Sequence, residues 1–215
     1  VRDAFIHLLD RTGYQEPEAD ARVLCLHQAV EGAQVGPSDF TFRSGPDVVR
    51  GSDVPDGLCA VLAGHIHRAQ ILTHDLRRSP LAAPVIYPGS VERTASAERL
   101  EDKAYAIATV ALAGYRRGCL VDTKFHSLPA RPMLYLDVVP ESSGSELLKQ
   151  LQAELSSLDP DAVVRIRLGG PHAAPARAAL SAATLRELAP PTMNVTVAPD
   201  RSAFRRKIRP KARTP

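Results

Sequence analysis

The sequence predicts an α/β chain in two parts, a layered sheet domain over residues 1–128 and a small α+β domain over residues 129–200. Three observations predict it. Short continuous apolar runs such as "VLCL" and "LCAVLAG" are the pattern of strands buried on both faces, as in layered α/β folds. Two prolines in "SLPARP", residues 127–132, mark a linker where the pattern changes. Beyond it, strand-like and helix-like stretches alternate as "MLYLDVV", a leucine-striped helix, "AVVRIRL", a second helix and "TMNVTVA".

Taken in order, "VRDAFIHLLDRT" places Val1, Phe5, Leu8 and Leu9 on one helical stripe, which Gly13 ends. "ARVLCLHQ" is a strand that exits at His27. Residues 32–57, rich in Gly, Pro and Asp, are expected to form an extended loop region. "GLCAVLAGHIH" repeats the motif of an apolar strand with histidine at its exit, and "APVIYPGS" is a third strand closed by the Pro88–Gly89 turn. "KAYAIATVAL" and "CLVDTKFHSL" form a strand pair around the turn "AGYRRG". In the second part, Leu147, Leu148, Leu151, Leu155 and Leu158 share one helix face over residues 145–158. On the following strand Val164, Ile166 and Leu168 point inward, with Arg165 and Arg167 outward.

The composition is that of a globular chain, 44% hydrophobic and 24% charged, which excludes wholesale disorder. No apolar run reaches the roughly 18 residues that span a bilayer, and no export signal opens the chain, so a cytoplasmic location without membrane contact is expected. Cys25, Cys59 and Cys119 have no CxxC spacing; Cys25 and Cys59 sit in apolar runs and are expected to be buried free thiols in a reducing compartment. The net charge of +3 is uneven. The segment 201–215, "RSAFRRKIRPKARTP", holds seven of the 27 basic residues and no acid, so the other 200 residues carry about −4. Such a tail, with only Phe204 and Ile208 as apolar anchors, is expected to be disordered and to contact nucleic acid electrostatically, or simply to solubilise the chain. The start at Val1, already inside a domain-like pattern, points to a piece of something longer.

Three histidines carry the chemistry. In an extended segment residues i and i+2 share a side, so His65 and His67 in "GHIH" present two imidazoles together, and Gly64 allows close backbone approach. Paired metals in hydrolytic sites sit roughly 3.5–4 Å apart, so neighbouring ligands can each serve one ion. His27 also ends a buried strand, and in open α/β sheets sites are built at strand ends. Imidazole suits Mn, Fe, Zn and Ni alike, so the residues do not choose the metal. His7, His74, His126 and His172 match no ligand spacing and are expected to be structural or surface groups. The turn "PGSVER", with Ser90 and Arg93, is either a DNA-phosphate contact or a corner with a solvated arginine.

"GHIHRAQ" resembles the last motif of the calcineurin-like metallophosphoesterases, and "LCLHQAVEG" resembles their preceding single-histidine motif. "VIYPGSVERTASAER" with "EDKAY" is similar to the stretch that follows in the SbcD-type nuclease subunit of double-strand-break repair complexes. The resemblance covers residues 1 to about 200. It implies the C-terminal half of a layered αββα metallophosphoesterase domain and a small α+β capping domain. It also implies two divalent ions, Mn²⁺ above all, with His27 and His65 on one and His67 on the other. The implied partners are DNA, an SbcC-like coiled-coil ATPase and a second copy, paired through a part not contained in this chain, and the implied location is at the nucleoid. The family's Asp-x-His, Gly-Asp-x-x-Asp and Gly-Asn-His motifs are absent, the one asparagine being Asn194, so the general-acid histidine is expected upstream of Val1. Three neutral imidazoles leave about four positive charges on two divalent ions uncompensated. The chain is therefore expected to be inactive alone. The alternatives are another metallophosphoesterase, such as a nucleotidase or small phosphodiesterase, or a non-catalytic DNA- or partner-binding module.

Overall fold

A computed structural model describes residues 2–15, 18–43, 45–141 and 144–199, with the side chains from Asp3 onward. The expected disordered tail, 201–215, lies outside the described residues. The chain divides into two compact units at the Ala130–Arg131 junction, and both mix α and β structure.

The first unit opens with helix α1 (Arg2–Arg11), with Asp3 in its first turn and Arg11 in its last, each on the favourable end of the helix dipole. Gly13 follows in left-handed conformation at φ +59. The expected stripe is narrower than its spacing implied. Phe5 packs on the core, whereas Leu8 is 58% exposed, because the helix meets the core along one line only.

Eight strands follow: β1 (Val23–His27), β2 (Ala29–Val30), β3 (Gln34–Val35), β4 (Phe40–Thr41), β5 (Val48–Val49), β6 (Ala60–Gly64), β7 (Gln70–His74) and β8 (Pro80–Tyr87). The main sheet has the order β1-β6-β8-β7, with β1, β6 and β8 parallel and β7 antiparallel at the far edge. Val61, Ala63, Val85 and Tyr87 on its inner face build the principal core with Leu24 and Leu26.

Residues 32–57 are not the extended loop expected from their Gly, Pro and Asp content. Three two-residue strands lie within them, β3 pairing with β4 and β5 pairing with β2 just upstream, and Ala33, Val48, Val49 and Val54 all enter the principal core beside Val30. Strands this short have no periodicity for a sequence pattern to reveal.

Strand β1 is also not buried on both faces. It is the sheet edge, and Val23, Cys25 and His27 face outward while Leu24 and Leu26 face the core. Cys25 is therefore an exposed thiol, as is Cys119; only Cys59 is buried, and burial pushes its thiol pKa up. The hairpin β9 (Lys103–Val110) and β10 (Leu120–Leu128) brings Ala106, Val110 and Leu120 onto Cys59, Ala60 and Ile86.

The second unit runs β11 (Met133–Val138), α2 (Ser145–Ser156), β12 (Val163–Leu168), α3 (Ala173–Ala179), α4 (Ala182–Leu188) and β13 (Asn194–Val197). Its strands are all parallel in the order β11-β12-β13, so the small domain has β-α-β-α-α-β wiring rather than a segregated α+β arrangement. Leu147, Leu151 and Leu155 of α2 meet Val138, Val164 and Ile166 in one core. Ser181 caps α4, its hydroxyl accepting from the Thr184 N–H at 3.1 Å. On the opposite face Arg167 pairs with Asp137, its register partner across the strands, and lies over the Tyr135 ring at 4.4 Å.

Candidate metal centre

The three parallel strands β1, β6 and β8 end on the same side of the sheet. Pairing sets His27 opposite Gly64, so the next residue, His65, lands beside His27 with ring centroids 5.5 Å apart in an edge-on arrangement. Gly64 is required by that approach: a β-carbon there would lie 2.6 Å from His27 Nδ1.

β6 stops at Gly64, and His65 has φ +79, a left-handed conformation that a β-carbon disfavours. The extended geometry expected to set His65 and His67 on one side is thus broken at His65. Both rings nonetheless line one pocket of about 270 Å³, with Ile66 buried between them in the chain. Strain of this kind, in a residue other than glycine, concentrates at functional sites.

The turn after β8 braces this loop. The Ser90 N–H donates to the His67 carbonyl at 3.2 Å. Gly89, at φ +84, approaches so closely that a β-carbon would sit 3.0 Å from both the His67 carbonyl oxygen and the Ala69 nitrogen. Tyr87 fixes the segment after His27. Its hydroxyl donates to the Gln28 carbonyl at 2.9 Å and accepts from the Val30 N–H at 2.8 Å, and burial pushes its pKa up to about 12. Removing that hydroxyl would strand two backbone groups, a cost of about 1–3 kcal/mol for each one left buried without a partner.

Two carboxylates border the pocket, and both are committed to protein partners. His67 Nδ1 lies 3.0 Å from Glu98 Oε1, which also accepts from the Thr94 hydroxyl at 3.0 Å. Glu98 Oε2 accepts from Lys103 Nζ at 2.6 Å. The Lys103 side chain has no solvent exposure and also donates to Ser90 Oγ at 2.8 Å. Burial alone would raise the Glu98 pKa, but the hydrogen bonds from Lys103, His67 and Thr94 outweigh it and hold the carboxyl down at about 2. Glu101 accepts from Arg68 Nε at 3.2 Å. Among the described residues no group of three His, Cys, Asp or Glu side chains is placed to hold a metal ion.

The expected sites therefore separate. His27 and His65 are brought together, and His67 shares the pocket with His65. Ser90 and Arg93 are held by their own segment: Ser90 Oγ donates to the Glu92 carbonyl at 2.8 Å, and Arg93 donates to the Glu101 carbonyl at 3.0 Å. His126 stacks on Tyr105 at 4.9 Å, and His74 is hydrogen-bonded to the Thr73 hydroxyl. Tyr87, Glu98 and Lys103 were not among the residues singled out in the sequence, although all three lie in the stretch "YPGSVERTASAERLEDK" on which the resemblance rests.

Imidazole is a donor that divalent transition metals accept, and one of the candidate histidines, His67, is held by a carboxylate at Nδ1. It does not supply the carboxylate share. No protein-family model matches the chain. Among the described residues no helix is long and apolar enough to cross a membrane.

Proposed function

We propose that this chain carries the histidine half of the active site of an SbcD-like, Mn²⁺-dependent DNA exo/endonuclease that acts at the nucleoid with an SbcC-like coiled-coil ATPase. The observation that supports this reading is the placement of His65 beside both partners where the parallel strands β1 and β6 end: its ring lies 5.5 Å from that of His27, and it shares a pocket with His67, braced by the turn that follows β8. His27 and His65 would hold one ion and His67 the other. Such ions would supply Lewis acidity for phosphodiester hydrolysis. The bridging carboxylate and the general acid belong to residues outside this chain, because Glu98 and Glu101 are already taken by Lys103 and Arg68.

The test is the intact gene product containing this chain, supplied with Mn²⁺ and either linear double-stranded DNA or a small chromogenic phosphodiester. The expected result is DNA degradation that His27→Ala and His67→Ala each reduce by a factor of about a thousand or more, the scale on which loss of a catalytic group is felt. Turnover of the small phosphodiester without DNA degradation would replace this reading with a nucleotidase or small phosphodiesterase. DNA binding with no hydrolysis of either substrate would make the protein a binding module.

A further inference from the structure

We infer that Glu98 is the positioning residue of His67, keeping its imidazole in the tautomer that carries the proton on Nδ1 and leaves the Nε2 lone pair free for the pocket. The His67 ring is 44% exposed and rests on a carboxylate that is only 10% exposed. Its Nδ1 is met by Glu98 Oε1 at 3.0 Å and by the Thr94 hydroxyl at 3.3 Å; that hydroxyl gives its own proton to Glu98, so neither neighbour donates to the ring. An ionised carboxylate has only acceptor sites, so the nitrogen 3.0 Å from it must be the one that donates.

Lys103 makes the arrangement directional. Its ammonium is wholly buried, has no acceptor capacity, and sits on Glu98 Oε2 and Ser90 Oγ. It keeps Glu98 charged and dictates what any substitute at position 98 can present. In Glu98→Gln the amide oxygen must turn to Lys103, which can only donate. The amide NH₂ then faces His67 Nδ1 and demands an acceptor there. The proton moves to Nε2, and the lone pair is lost to the pocket. A substitution of nearly equal shape thus reverses the tautomer.

This inference rests on the reading of His67 as a metal ligand for its consequence, but the tautomer is measurable without metal. The experiment is two-dimensional long-range ¹H–¹⁵N NMR of the imidazoles in the 215-residue chain at about pH 8.5, above the ordinary imidazole range. The expected result is Nδ1–H for His67 in the wild type and Nε2–H in Glu98→Gln, with the other six histidines unchanged. Nε2–H in the wild type, or an unchanged tautomer in a folded Glu98→Gln, would overturn the assignment. The wild-type spectrum decides alone if that variant does not fold. In the intact gene product, Glu98→Gln is expected to raise the Mn²⁺ concentration for half-maximal DNA degradation by about 10–100-fold, the usual effect of losing such a partner. Absence of nuclease activity would remove the functional reading and leave the tautomer result standing.

Discussion

Lys103→Met is expected to destabilise the first unit by about 3–5 kcal/mol, the cost of leaving one member of a buried ion pair without the other. Lys103 lies on β9 with its side chain fully buried, and its ammonium serves Glu98 and Ser90 together. Methionine fills a similar volume but leaves Glu98 Oε2 facing an apolar group, in a site 10% exposed. Equilibrium urea unfolding measures the loss. Adding Glu98→Gln to Lys103→Met is expected to recover most of it, because the uncompensated charge is gone. In that double variant the amide is free to turn its oxygen back toward His67. A Lys103→Met chain as stable as the wild type would show that the pair does not hold the segment between β8 and β9.

His65→Gly is expected to move stability and activity in opposite directions. Glycine adopts φ +79 without penalty, so the substitution relieves strain at His65 and raises stability by about 1 kcal/mol, reduced by the entropy of the freer unfolded chain. The same change removes the imidazole beside His27, and Mn²⁺-dependent hydrolysis by the intact gene product is expected to fall by about a thousandfold or more. Urea unfolding of the 215-residue chain and a DNA degradation assay separate the two effects. A loss of stability would mean that the left-handed backbone at His65 is set by contacts of its ring, not retained at a cost for its position.

The parts of this fold legible in the sequence are those with a local signature. The apolar runs of β1, β6 and β8, the exits at His27 and His65, and the leucine face of α2 each follow from periodicity within a few residues. Burial across the sheet did not follow, because it depends on neighbours. β1 has the same apolar pattern as β6 yet is half exposed, since only one strand pairs with it. The exposure of Cys25 follows from that edge position, and that of Leu8 from the single line along which α1 meets the core.

The support of the site was the least legible part. Glu98 is 31 residues from His67, and a "SAERLEDK" stretch has the composition of a solvated surface. Only the tertiary fold buries Lys103 and sets it against Glu98, where each makes the other tolerable. The region 32–57 hid its core residues because its three two-residue strands carry no pattern. The histidine spacing was legible, but the geometric reason first assigned to it was not the one the chain uses. The close approach at Gly64 and the left-handed turn at His65 place the rings.

The central claim is that His27, His65 and His67 form an incomplete metal site whose carboxylates lie outside this chain. Metal analysis of the purified 215-residue chain tests it directly, after equilibration with Mn²⁺ and Zn²⁺ in turn and removal of loosely held ions by gel filtration. Fewer than one ion retained per chain is predicted, with weak Mn²⁺ binding during titration that His65→Ala abolishes. Two ions retained per chain would contradict the claim.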